Sequence, residues 1–154
     1  MDARLESFKT CVIIREKMFK RICKITFIAH GATVYSLDGI VNDGLKYPKL
    51  NEFGEEEIEK VCEYLEKRGV AYDKIYTSPN ACCSQSAQII AKLFKQKAIP
   101  LDLTPRNHGD WQGSSLAEIF KEYGASALAQ TPENGESLAD FNKRVSKTIN
   151  KLIK

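Results

Sequence analysis

The 154-residue chain is 43% hydrophobic and 28% charged, enough apolar material for one buried core and too much for a disordered chain. No apolar run approaches the roughly eighteen residues that a membrane helix needs, so a membrane role is not expected. The net charge of +3 sits in the leader: residues 1–24 hold seven Lys or Arg against three Asp or Glu, and the remainder sixteen against seventeen. A near-neutral body gives no nucleic-acid footprint.

The leader, MDARLESFKTCVIIREKMFKRICK, lacks the apolar core and cleavage site of a secretory signal, and its acidic residues argue against a transit peptide. It reads as a basic N-terminal extension, 1–24, ahead of a domain at 25–154. A basic amphipathic arm and a weak targeting signal are the other readings. "ITFIA" (25–29) suits a buried parallel strand ending at His30 and Gly31, and a loop rich in Gly, Asp, Asn and Pro follows to about residue 50. Asn51 caps a helix over 52–68 with Ile58, Val61, Cys62 and Leu65 on one face, closed by Gly69. The run Glu55, Glu56 and Glu57 reads as a solvated helix start that complements the dipole.

"KIYTS" (74–78) is a second strand. The helix over 81–96 carries Cys83, Ala87, Ile90 and Phe94 in register, and "AIPLDL" (98–103) forms a weaker third strand. A turn-rich segment, TPRNHGDWQG, precedes a short helix over 115–123. Ser137 and Asp140 have capping-box-like spacing for a last helix whose apolar side holds Leu138, Phe141, Val145, Ile149 and Leu152. Strands alternating with helices predict an α/β, three-layer sandwich with a mainly parallel sheet. In such sheets ligands gather beyond the carboxyl ends of the strands, where His30 and residues 78–82 fall.

The cysteines, at 11, 23, 62, 82 and 83, show neither paired spacing nor a histidine at metal-ligand distance, so no metal site and no cofactor are expected. An odd, scattered set points to a reducing, cytoplasmic setting. The adjacent Cys82 and Cys83 cannot bridge each other without strain.

Five short motifs, in order, carry a family resemblance: AHGAT (29–33), LNEFG (50–54), YTSPNACCSQSAQIIA (76–91), GDWQG (109–113) and NGESLADFNKRV (134–145). The set resembles the histidine phosphatase superfamily, the phosphoglycerate mutase-like phosphatases. The resemblance implies two-step phosphoryl transfer on a phosphorylated small molecule. His30 stands at the position of the nucleophile that becomes phosphohistidine, a role suited to an imidazole that is neutral at cellular pH. Charge on the equatorial oxygens would be met by guanidinium groups. Trp111 resembles the aromatic of the family's G-D-W motif, and its expected role is to pack the loop.

The matched positions depart from that pattern. The arginine before the nucleophile is Ala29, the arginine of the second-strand motif is Cys82, a third basic position aligns with Ile40, and the acid's position with Pro105. Arg106 and His108 are the candidate replacements, Arg106 as a substrate contact and His108 as the proton donor; Thr33 and Ser36 are candidate anion contacts. Cys82 offers a thiol at the rim, but without a Cys-x5-Arg phosphate loop it reads as a small residue in place of a lost arginine.

Family members also continue into a further strand that bears a second histidine and lies between the first two in the sheet. Either the chain belongs to a longer polypeptide, or the first two strands close on each other, or a partner fills the slot; an open slot implies a protein partner or self-association. The expected function is a catalytically impaired domain acting as a binding or structural module. The alternative is a weak or altered phosphomonoesterase or phosphomutase working through His30.

Overall fold

Each apolar run named above becomes an element, and one run that the leader concealed becomes another. The computed structural model describes residues 24–42 and 48–153 together with the backbone of 12–16. Among the described residues the order is β1 (Val12–Glu16), β2 (Ile25–Ile28), α1 (Val34–Leu37), α2 (Glu52–Lys67), β3 (Tyr72–Thr77), α3 (Ala81–Leu93), β4 (Ala98–Pro100), α4 (Leu116–Tyr123) and α5 (Leu138–Ile153), with 3-10 turns at Gly109–Trp111 and Gly124–Leu128.

The sheet order is β2-β1-β3-β4. β3 and β4 pair in parallel, while β1 runs antiparallel to both β2 and β3. Hence β2, β3 and β4 share one direction and β1 alone opposes it, an α/β fold with a mainly parallel sheet. The position of β1 corrects the expectation of an open slot: β2 and β3 do not close on each other, and residues 12–16 of the leader stand between them. Val12 pairs with both Ile28 and Thr77, and Ile14 with both Thr26 and Ile75. The physical reason is the unpaired row of N–H and C=O groups that two separated strands present. The β-branched run Val12, Ile13 and Ile14 has the propensity to satisfy it.

The core lies between the sheet and the α2–α3 pair. Ile58 and Leu65 of α2, Ile75 of β3, and Cys83, Ala87 and Ile90 of α3 are buried in one cluster, with Val61, Cys62 and Phe94 packed at its margin. The Tyr72 and Phe94 rings meet edge to face at 5.1 Å. α2 starts where Asn51 Oδ1 accepts the Gly54 N–H at 2.8 Å and ends before Gly69 at φ +61°. α3 stops earlier than its periodicity predicts because Lys95 turns left-handed, at φ +51°, and the Gln96 N–H returns to the Ala91 carbonyl at 2.9 Å.

A second cluster joins Val41, Ile119 and Ala127 with Trp111, Phe120 and Tyr123. Trp111 thus packs its loop, its ring 5.3 Å from that of Tyr123. α5 begins at the expected box, Ser137 Oγ donating to Asp140 Oδ2 at 2.6 Å and accepting the Asp140 N–H at 3.0 Å. Its apolar side departs from expectation: Leu138 is exposed, Phe141, Val145, Ile149 and Leu152 are half-buried, and Thr148 is the residue that α5 buries among those described.

Candidate functional site

His30 follows the carboxyl end of β2, and Ser78 to Cys82 follow that of β3. The shared partner Val12 holds Ile28 and Thr77 level, so both segments share one rim of the sheet. There the backbones of Gly31 and Gly54 touch: a Cβ on Gly31 would lie 2.1 Å from the Gly54 carbonyl oxygen, and one on Gly54 2.1 Å from that of Ala32. Only glycine at both positions lets the loop after β2 lie on the first turn of α2.

His30 is half-buried, and its Nδ1 lies 2.7 Å from the Gly31 carbonyl oxygen. A carbonyl only accepts, so this contact places the proton on Nδ1 and the lone pair of the neutral ring on Nε2. That is the tautomer a nitrogen nucleophile needs.

The neighbouring amides are engaged within the chain. The Gly31 N–H donates to Ser86 Oγ at 3.2 Å, the Ala32 N–H to Glu57 Oε2 at 2.8 Å and the Thr33 N–H to Ser36 Oγ at 2.8 Å. Ser86 Oγ in turn donates to the Cys82 carbonyl at 2.8 Å, tying this loop to the first turn of α3. Glu57 therefore corrects the reading of its acidic run: Glu55 and Glu56 are exposed, but Glu57 brings a carboxylate onto the loop that follows His30. Its place one turn into α2, on the side of Gly54, is the signal that could have singled it out. Ser86 and Gln85, which accepts the Leu50 N–H at 2.8 Å, were likewise missed.

Thr33 and Ser36, the expected anion contacts, bond to each other and to the local backbone. Thr33 Oγ1 accepts the Ser36 N–H at 3.2 Å, and Ser36 Oγ donates to the Thr33 carbonyl at 3.0 Å, a reciprocal cap on α1. Ser36 has thereby committed its one proton.

Arg106 faces backbone carbonyls. Its side chain is buried, with Nε donating to the Glu136 carbonyl at 2.8 Å, Nη1 to that of Leu128 at 3.2 Å and Nη2 to that of Gln130. Burial lowers its pKa, and Glu136 partly restores it. The guanidinium clamps the 128–136 segment. His108 caps the 3-10 turn at Gly109–Trp111 and borders a cavity of about 50 Å3 within the second cluster, whose wall includes none of residues 29–36. It stands beside Trp111 and Phe120, an apolar setting for the expected proton donor.

Arg144 is engaged as fully as Arg106. Its Nε and Nη2 make a bidentate pair with Glu136 at 3.0 and 2.9 Å, and it donates to Thr104 and to the Pro105 carbonyl. This pair holds the Glu136 carboxyl below its ordinary pKa, against the opposing effect of burial. Arg68 lies over Tyr64 at the far end of α2. Cys82 is buried, 3% exposed. Ala29 is exposed and Ile40 forms an isolated bridge to Ser115.

The GDWQG and NGES motifs are locked together. Gly109, at φ +49°, lies so close to this partner segment that a Cβ would sit 2.0 Å from the Glu133 carbonyl oxygen. A recess of about 410 Å3 opens beside them, walled by Asp110, Glu122 and Glu133 with Trp111 and Tyr123. Three carboxylates and no Lys or Arg in that wall repel a phosphate ester. No group of three or more His, Cys, Asp or Glu among the described residues is arranged to hold a metal, and no described helix is long and apolar enough to cross a membrane.

Comparison with known proteins places this geometry in a family. The model of the histidine phosphatase superfamily (branch 1) matches residues 25–154. A broad-specificity phosphatase of Saccharomyces cerevisiae is 28% identical over 136 residues, covering 86% of this chain and 59% of that protein. A phosphoglycerate mutase of Schizosaccharomyces pombe is 31% identical over 113 residues, covering 66% of this chain and 54% of its own length. A mycobacterial glucosyl-3-phosphoglycerate phosphatase superposes with a TM-score of 0.67 at 23% identity, over 80% of this chain and 64% of that one, a likeness of fold. The chain thus spans little more than half the length of these two curated relatives. From the five ordered motifs, the β2–His30 rim and the family match over residues 25–154, the chain belongs to the histidine phosphatase superfamily, branch 1.

Proposed function

We propose that this chain is a histidine phosphatase domain whose phosphoryl transfer is impaired and that acts as a binding or structural module. The observation that carries the reading is the closed hydrogen bonding of the His30 loop. Residues 31, 32 and 33 direct their N–H groups to Ser86, Glu57 and Ser36, where a phosphate would need open donors. The guanidinium groups of Arg106 and Arg144 are bound to carbonyls and to Glu136. Ala29 and Cys82 stand where the family resemblance expects arginines. Losing one preorganised donor to a transition-state oxyanion costs a factor of about 10²–10³ in rate. Such losses do not add simply, yet several together leave a rate that is several powers of ten below an intact site. Glu57 adds a carboxylate within reach of the same loop, which further disfavours an anion.

A second reading is favoured by one specific observation: the Nδ1 contact to Gly31 holds His30 in the tautomer that a nucleophile uses. On this reading the chain is a weak phosphomonoesterase or phosphomutase for a small phosphate ester, with a phosphohistidine at His30. Incubation with para-nitrophenyl phosphate, with His30→Ala as control, separates the two. The impaired module gives no turnover above the control and no phosphohistidine. Hydrolysis lost on His30→Ala refutes it and establishes the second reading.

A further inference from the structure

Two helices carry opposite charge on their solvent faces. On α2, Glu52, Glu56, Glu59 and Glu63 follow one another at spacings of four, three and four residues, a single stripe along the helix, and all four are exposed. On α5, Lys143, Lys147 and Lys151 repeat every four residues and are exposed as well. At about 1.5 Å per residue the lysine stripe runs about 12 Å and the glutamate stripe about 16 Å, so the shorter fits within the longer.

Within one copy the stripes do not neutralise each other. α2 packs on α3, whereas α5 is anchored through Arg144 to Thr104, Pro105 and Glu136. Among the described residues the three lysines form no ion pair, and of the four glutamates Glu63 alone does, with Lys67 of its own helix at 3.8 Å. The domain as a whole is nearly balanced, since residues 25–154 hold sixteen Lys or Arg against seventeen Asp or Glu. Such a body has no net attraction for a polyanion. The complement of each stripe is the other stripe, and a second copy supplies it.

We propose that the basic face of α5 in one copy docks on the acidic face of α2 in another. Phe53 and Tyr64, both exposed, border the glutamate stripe along one side, where the lysine stems find apolar surface and their ammonium groups find rings. Because the two faces differ, the contact is heterologous. A pair of copies still presents one open α2 face and one open α5 face, so the assembly grows head to tail with concentration unless its rotation closes a ring. Exposed ion pairs contribute little singly, so the association is weak and strongly dependent on ionic strength. The docking goes beyond the impaired-module reading and holds whether or not His30 transfers phosphate.

Sedimentation velocity of the full chain in dithiothreitol, over a concentration series, reads the association. Its constant is expected to fall on the order of tenfold between about 50 and about 500 mM NaCl, as the screening length drops from roughly 14 to roughly 4 Å. Two triple variants, Lys143→Gln with Lys147→Gln and Lys151→Gln, and Glu56→Gln with Glu59→Gln and Glu63→Gln, should each be monomeric, with the parent's circular dichroism spectrum. Mixed in equal amounts they should form one-to-one dimers and stop there, because the mixture holds one intact α2 face and one intact α5 face per pair. A parent that stays monomeric up to about 1 mM overturns the docking. So does association that survives in either variant, or a mixture that stays monomeric. Binding of the parent to phosphatidylserine vesicles that the lysine variant loses, without self-association, assigns the α5 face to a membrane and overturns it as well.

Discussion

Arg106→Ala separates a structural arginine from a substrate-binding one. Arg106 is 9% exposed and donates three hydrogen bonds to the carbonyls of Leu128, Gln130 and Glu136. Removing it leaves three acceptors short of a donor in a region that water reaches poorly. A hydrogen bond from a charged donor contributes about 1.5–3 kcal/mol when buried. Partial access of water to the vacated space reduces the total, so a loss of about 4 kcal/mol is expected, together with the packing of the alkyl stem. For a chain of this size that corresponds to a fall in Tm of about 8–16 °C. Arg106→Lys retains the charge but not the planar fork, and should fall in between. Chemical denaturation followed by circular dichroism measures the loss, and calorimetric titration of vanadate reads the site in parallel. Any affinity the parent shows for vanadate should persist in Arg106→Lys within about twofold, because a guanidinium that does not meet phosphate gives up no charge-assisted bond to it. A stable Arg106→Ala protein with parental Tm and vanadate affinity reduced tenfold or more would refute the reasoning and return Arg106 to the substrate.

Two further predictions concern the frame of the site. Gly54→Ala places a methyl carbon 2.1 Å from the Ala32 carbonyl oxygen, backbone against backbone; a loss of more than about 3 kcal/mol in urea denaturation is expected, since neither segment can yield without breaking its caps. The Glu136 carboxyl, held below its ordinary pKa by Arg144, contributes stability that is present above the unfolded carboxylate pKa of about 4.3 and is lost as pH falls through the lower folded value. Parent and Glu136→Gln should therefore differ most in stability near neutral pH and converge in strong acid; a constant difference from pH 7 down to pH 2 would count against the Arg144 pair as its source.

Much of the architecture could be read from local pattern. The faces of α2 and α3 follow the apolar spacing, because a helix that covers a sheet must bury one stripe whatever lies beyond it. The Asn51 cap and the Ser137–Asp140 box formed as their residue types require. α5 shows where the same reasoning weakens: its stripe is half-buried and Leu138 is exposed, since period alone does not say what covers a face.

The amino-acid order by itself determined the alternation of strands and helices, the placing of His30 beyond an apolar strand, and the family motifs, all of which depend on neighbours within a few residues. Only the tertiary structure decided the fate of polar groups that find partners across long loops. It turned Arg106 toward carbonyls 22–30 residues away, brought Glu57 to Ala32, and inserted residues 12–16 between two strands that their own sequence leaves apart. The physical reason is common to all three: a buried donor or acceptor must be satisfied, and which partner satisfies it depends on which surfaces the fold brings into contact.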